Sequence, residues 1–463
     1  MNTSKFNVIV NLDAYPDLAI LQNLFHGGTS LIPRNLGERL LSSNEADWLL
    51  SESETATLKD RYFVFDNNDD ERALHRELSS LLTNALRSGN PSKKYQILLS
   101  YNCNLRCSYC FQKDSRALGT MSEKKLSDIL STILDFEKRS DDVADHADQQ
   151  KPQIAIVGGE PLLPAVRHHN LVAQILKFCG DNNFDYTITT NGTGLGSFVD
   201  DFRRTSCFPR NVQVTLDGVR DVHDRRRPYA SGKGSFDVIA TNVSAALAAG
   251  IHVSIRVNVD HMNVEDVIPL ADLFHANGWA SRPNFSAYLA PVTDHSGVNG
   301  TYPWIDNSVA VLRRILQLFT AYPMLESTYT MKNFRAFDYV RRTVEGKQRP
   351  APTMWRCEAV LGQLVFDPDG NVFSCFEGAG DPQALIGHID KMLVIDVVKQ
   401  RQWSTLNMNN DDTCRDCLYR FICATGCPWH MVRWGEPECL PIRDELHIAW
   451  NHFADRQVRA RAA

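Results

Sequence analysis

The sequence predicts an α/β protein: a parallel sheet with helices outside, a small α+β module before it and a cysteine-rich region after it. Three observations carry this. Over residues 93–290 strand-length apolar runs alternate six times with amphipathic helical stretches, the pattern of repeated βα units. Residues 1–92 lack that alternation and end on the breaker Gly89-Asn90-Pro91-Ser92. Ten of the twelve cysteines fall in two spaced groups, one inside the alternating region and one beyond residue 351.

In the first region, residues 6–12 and 62–66 read as strands, and 38–41, 46–50 and 70–87 as helices. The strands expected in the alternating region are 95–100, 153–157, 185–189, 211–216, 252–258 and 284–289. Helices are expected between them, among others over 123–138, 170–179, 236–248 and 264–276. Residues 140–151 carry four aspartates and read as a solvated loop. Residues 291–350 form a helical linker, with helices over 304–322 and 332–346, closed by Arg349-Pro350-Ala351-Pro352. Residues 351–463 are the cysteine-rich region.

The totals exclude several classes. A formal charge of −6 argues against a general nucleic-acid binder. No apolar run approaches the ~18 residues of a membrane span. The N-terminus has no secretory signal, so the expected location is the cytoplasm, where thiols stay reduced. Twelve cysteines there point to metal rather than disulfides. Cys179 and Cys207 stand apart from the groups and read as core or incidental thiols.

The chemistry centres on Cys103, Cys107 and Cys110, spaced C-x3-C-x2-C directly after the first apolar run of the alternating region. Three thiolates on a loop at a strand end are one short of what a four-iron cluster needs, which leaves one iron open to a reactant. Half of a zinc site and inert buried thiols are the other readings. Tyr109 and Phe111 supply apolar cover. Gly158-Gly159-Glu160-Pro161 follows the second strand, where two glycines let the backbone approach a ligand. Thr190-Asn191-Gly192-Thr193 follows the third. Thr215-Leu216-Asp217-Gly218 follows the fourth and leads into His223-Asp224-Arg225-Arg226-Arg227. Arg256 on the fifth strand is expected to point inward.

This cysteine spacing, with an aromatic residue before the last cysteine, resembles the signature of the radical S-adenosylmethionine enzymes. The resemblance implies a partial (β/α)6 TIM-like barrel. Cys103, Cys107 and Cys110 would hold a [4Fe–4S] cluster whose fourth iron is chelated by S-adenosyl-L-methionine, a source of hydrogen-abstracting radicals. Gly158, Gly159 and Glu160 match the segment that meets the cofactor's amino group. Thr190 and Thr215 match polar strand-end positions, with Thr215 in place of a more usual serine. Arg227 matches an arginine suited to the methionine carboxylate.

Beyond residue 351, Cys357, Cys375, Cys414, Cys417, Cys423, Cys427 and Cys439 form the second group. Asp367-Pro368-Asp369-Gly370-Asn371 reads as a hairpin turn that places Cys375 on its second strand. A zinc reading of C-x2-C-x5-C-x3-C is open on spacing alone. The whole set resembles the SPASM domain of peptide- and protein-modifying radical enzymes. By position, Cys414, Cys417, Cys423 and Cys439 would ligate one auxiliary [4Fe–4S] cluster. Cys357, Cys375 and Cys427 would hold another with no fourth cysteine, for three clusters in all.

The resemblance implies a maturase of a ribosomally made precursor peptide, forming a C–C, C–O or C–S crosslink. Residues 1–92 would be a winged-helix-like module that adds the peptide's leader to a sheet edge, or else a structural cap on the barrel. The expected partners are the precursor peptide and an electron donor such as a flavodoxin or ferredoxin, with no nucleic acid and no membrane. A sulfatase maturase producing formylglycine is the alternative. It favours an acidic base directly after the second cysteine, where this chain has Phe376, with Glu377 one further on. If the strand continues there, Glu377 faces the other way. A non-catalytic iron–sulfur carrier or zinc scaffold is the reading from another class.

Overall fold

The computed structural model describes all residues except 43–47, 49, 89–93, 114, 116–118, 142–150, 294–307, 347–349, 351, 354, 356, 391 and 463. The expected helix over 46–50, most of the loop at 140–151 and the start of the helix at 304–322 lie outside or largely outside the described residues.

The N-terminal region holds five strands: β1 (Asn2–Thr3), β2 (Asn7–Asn11), β3 (Leu18–Asn23), β4 (Thr29–Pro33) and β5 (Val64–Phe65). β2, β3 and β4 form an antiparallel sheet in that order, and β1 pairs with β5. Both faces of β3 are buried. Ala19 and Leu21 pack with Ile32 on the helices Arg34–Leu40 and Glu52–Asp60. Val8, Val10 and Ile20 join the main core. β3 and β4 were absent from the sequence expectation. Leu18–Asn23 is nearly continuous and apolar, and a short run without alternation does not declare itself a strand.

The alternating region folds as expected. β6 (Lys94–Leu98), β7 (Gln153–Val157), β8 (Asp185–Thr190), β9 (Asn211–Thr215), β10 (Val253–Val259) and β11 (Phe285–Pro291) pair in parallel, each with its sequence neighbour. Helices Glu123–Asp141, Val166–Asn182, Leu195–Thr205, Phe236–Ala248 and Val267–Ala276 run between them. β12 (Tyr329–Thr330) extends the sheet beyond β11. β13 (Leu364–Phe366) adds in parallel to β6 on the opposite side, and β14 (Asn371–Phe373), β15 (Leu385–Ile389) and β16 (Leu393–Ile395) continue antiparallel. The result is one eleven-stranded sheet whose order is linear, so the barrel is partial. The cysteine-rich region is therefore hydrogen-bonded to the first barrel strand.

Alternate residues divide the labour in the barrel. Ile154, Ile156, Ile188, Val212, Val214 and Ile255 are buried in the hydrophobic core. Thr187, Thr189, Asn211, Gln213, Thr215, Arg256 and Asn258 line a cavity inside. Barrel interiors are usually filled by branched apolar side chains; this one is hollow, and polar side chains share its lining with Ala155, Val157 and Ile188. The C-terminal helix Ile442–Ala462 ties the regions together. Its Trp450 donates to Gln22 Oε1 at 2.9 Å, and its Asn451 side chain bonds Asp13 and Asn11. No helix among the described residues is long and apolar enough to cross a membrane.

Candidate active site

The three cysteines sit on the loop after β6 and are only partly buried. Backbone bonds pin the loop on two sides. Gly159 and Glu160 donate their amides to the Ser100 and Asn102 carbonyls at 2.7 and 2.8 Å. Arg106 and Ser108 donate to the Pro228 and Arg226 carbonyls at 2.8 and 3.1 Å. A Cβ on Gly158 would collide with the Ser100 carbonyl, and one on Gly159 with those of Tyr101 and Asn102. The two glycines therefore let the loop and the β7 end lie backbone against backbone.

Gly158, Gly159, Thr190, Thr215, Arg227 and all three cysteines line one cavity of about 790 Å³ at the C-terminal ends of the strands. Its other wall is Phe376, Glu377, Asp381, Trp429 and Arg433 from the cysteine-rich region. Phe111 meets Phe376 edge-on with ring centres 5.4 Å apart, bridging the two walls. Arg256 faces the cavity as expected, with Nε held by Asn258 Oδ1 at 2.7 Å.

The Glu160 side chain has a structural task of its own, which leaves the carbonyls of its turn as the atoms expected to meet the cofactor's amino group. Its carboxylate is fully buried and accepts from the Leu162 and Asn191 amides at 2.8 and 2.6 Å and from the Thr190 hydroxyl at 2.5 Å. Burial raises its pKa to about 6 against these bonds. Glu160 thus braces the β8 turn against the β7 turn and stands behind the cavity wall. Thr190 spends its hydroxyl hydrogen on Glu160.

Burial raises the Cys103 thiol and pushes Cys107 up to about 11, with the Arg227 charge opposing in both. The charges of Cys103 and Cys110 also reach Cys107. The Leu105 amide and the Asn191 side chain donate to Cys103 Sγ at 3.4 and 3.7 Å. The donor set fits an iron–sulfur cluster with one open corner: three neighbouring thiols, amide donors to sulfur and a cation alongside. The fit extends to a carboxylate-bearing cofactor, because Arg227 Nε is buried in the cavity wall with no partner. Burial opposes the charge on Arg227, yet Cys107, Tyr109 and Asp217 hold its pKa well above the ordinary value.

The downstream cysteines also gather. Burial raises the Cys375 thiol, and Glu377, Cys427 and Cys357 add to the shift. Burial pushes Cys414 up to about 12, with Asp411, Cys423 and Cys439 contributing. The charge of Cys417 is felt at Tyr419 and Arg420. Among the described residues no three Cys, His, Asp or Glu groups converge on a single metal ion.

Two expectations on this wall need correction. Cys375 is not on the second hairpin strand, because β14 ends at Phe373 and Cys375 lies in the following loop. The pleat argument against Glu377 fails for the same reason. Residues 376–380 form a turn, and both Phe376 and Glu377 line the cavity.

Sequence reasoning missed Gln112, Trp429 and Arg433 in the wall, and the hydroxyl of Tyr109. Gln112 is buried in the cavity wall, and its Nε2 has no partner. Its position two residues after Cys110 was the available signal.

Comparison with known proteins agrees with this geometry. Residues 97–274 match the radical SAM superfamily. A cysteine-type anaerobic sulfatase-maturating enzyme of Clostridium novyi (strain NT) is 26% identical over 341 residues, covering 71% of this chain and 85% of that protein. The structure of native anSMEcpe with bound AdoMet superposes with a TM-score of 0.59 at 17% identity, covering 79% of this chain and 98% of that one. Streptococcus suis SuiB bound to precursor peptide SuiA gives 0.53 at 17% identity, covering 95% and 98%. The matched segment contains the cysteine loop, the glycine turn and Arg227, so this chain carries a radical SAM domain, and the [4Fe–4S] cluster and S-adenosyl-L-methionine which that superfamily implies fit the site described above.

Proposed function

We propose that this enzyme matures a ribosomally made precursor peptide by joining two of its side chains. The observation that carries this reading is the reach of the fold comparison. SuiB, solved with a precursor peptide, spans 95% of this chain, whereas the anSMEcpe structure leaves about a fifth uncovered. The sheet β2–β4 is built into the core of the molecule, and among the described residues β4 pairs only with β3. Its outer edge would take an added leader strand.

Cys103, Cys107 and Cys110 would hold the cluster, with Gly158, Gly159, Thr215 and Arg227 around the cofactor. When bound, cluster and cofactor supply a radical able to take hydrogen from an unactivated carbon. A crosslink removes two hydrogens from the peptide, one as an atom and one as a proton plus an electron. Glu377, in the wall beside Cys375, would accept the proton. Auxiliary clusters on Cys357, Cys375 and Cys427 and on Cys414, Cys417, Cys423 and Cys439 would take up the surplus electron, and a flavodoxin- or ferredoxin-like donor would supply the electron that starts the reaction at the barrel cluster. The first of these sets has three cysteines, which leaves one ligand position to a substrate atom or water.

Formylglycine formation is the second reading. Glu377 in the cavity wall and the Clostridium novyi relative both favour it. Anaerobic reaction with dithionite, S-adenosyl-L-methionine and candidate peptides decides between them. Loss of two hydrogens with two residues linked in the fragment spectrum supports the crosslink. An aldehyde on a serine or cysteine of a sulfatase-derived peptide overturns it in favour of the second reading.

A further inference from the structure

The buried hydroxyl of Tyr109 ties the cysteine loop to Arg227. Tyr109 lies between Cys107 and Cys110, so its ring moves with the thiols. Its oxygen accepts from Arg227 Nη1 at 2.6 Å and from Asn258 Nδ2 at 3.0 Å, and its hydrogen goes to Asp217 Oδ2. One donor and two acceptor places are all a hydroxyl has, so its orientation is fixed. Asp217 is fully buried and held in turn: Oδ1 accepts the Asn258 amide at 3.1 Å, and Arg226 Nε lies 3.5 Å from Oδ2. Arg226 closes the frame on Asp260 at 2.8 Å.

The consequence falls on Arg227. One of its terminal nitrogens is spent on Tyr109, while Nε is buried in the cavity wall with no partner. A guanidinium anchored at one corner presents its remaining N–H groups in a fixed direction, which suits a planar carboxylate. We propose that the Tyr109 hydroxyl, backed by Asp217, is a positioning group that aims the Arg227 fork at the cofactor's carboxylate. Cluster loop and carboxylate site then behave as one rigid unit. This rests on the assignment of Arg227 to that carboxylate and is independent of which peptide reaction follows.

The test titrates S-adenosyl-L-methionine into the dithionite-reduced holoenzyme and follows the cluster's EPR signal. Tyr109→Phe keeps the ring and removes the hydroxyl. It should load iron normally, bind the cofactor about tenfold more weakly and give an altered cofactor-bound signal. Asp217→Asn, which leaves the loop untouched, should shift both readouts in the same direction by less. Tyr109→Phe combined with Arg227→Lys should bind no more weakly than Arg227→Lys alone, because both act through one fork. Unchanged affinity and signal in Tyr109→Phe, or in Asp217→Asn should the first variant not load iron, overturns the proposal. So do independent, multiplying effects in the pair. Wild-type affinity in Arg227→Gln overturns the carboxylate assignment itself.

Discussion

The two cysteine groups are built in opposite ways. Cys103, Cys107 and Cys110 come from one loop, partly buried, in the wall of the cavity. The seven downstream cysteines come from separate pieces. Cys357 caps a short helix, Cys375 follows β14, Cys414 and Cys423 lie in two one-turn helices, and Cys427 caps a third helix. None of the seven lines the cavity, yet Phe376 and Glu377 do, directly beside Cys375. A group that must meet a cofactor is kept local and open. The downstream group ranges from buried Cys375 and Cys414 to exposed Cys439, and touches the reaction space only through its neighbours.

The comparison breaks most sharply by removing one thiol from each group. Cys107→Ala should bring 5′-deoxyadenosine formation down to the no-enzyme level while the downstream iron stays bound. Cys375→Ala should leave 5′-deoxyadenosine formation measurable and cut peptide product about tenfold or more. Chromatography of both products and iron analysis check these outcomes. Equal loss of 5′-deoxyadenosine in the two variants would erase the distinction.

Gly159→Ala tests the local loop without touching sulfur. The new methyl group meets the Tyr101 and Asn102 carbonyls, which belong to rigid backbone. Stability should fall by about 1–3 kcal/mol, as overpacking does, and the cluster at the barrel should load incompletely. Thermal unfolding and iron content measure this.

The smallest effect is a pH dependence beside the loop. His223 is fully buried, accepts the Asp217 amide at Nδ1 and meets Ser235 at Nε2. Burial, with Arg227 nearby, lowers its pKa to about 4 from an ordinary 6.5. The unfolded chain therefore binds the proton first. Stability from this group is complete above pH 6.5 and is lost as pH falls toward 4, at about 1 kcal/mol per pH unit. Urea midpoints at pH 7 and 5.5 should differ accordingly, and His223→Asn should flatten the difference.

Much of the site was legible in the sequence because it is local. A cysteine spacing, a pair of glycines and an arginine closing the short helix after the fourth barrel strand are fixed by a few adjacent residues, and the six barrel strands announced themselves by their apolar runs. The task of the Glu160 side chain was not legible, because sequence order does not say which way a side chain leaves a turn. Its carboxylate went to the nearest backbone amides, which burial left in need of an acceptor. Glu377 was misjudged because the strand was carried past its end at Phe373, and in a turn neighbouring side chains no longer alternate faces.

The chain itself thus determined the cluster loop, the parallel strands and the two groups of thiols. Only the tertiary structure decided that β13 would add to β6 and bring Phe376 and Glu377 over the barrel mouth. It also decided that polar side chains would line the barrel interior, and that one hydroxyl would join loop to arginine. These depend on pairings between residues far apart in the chain. Their energies come from hydrogen bonds and burial that exist only once the sheet is assembled.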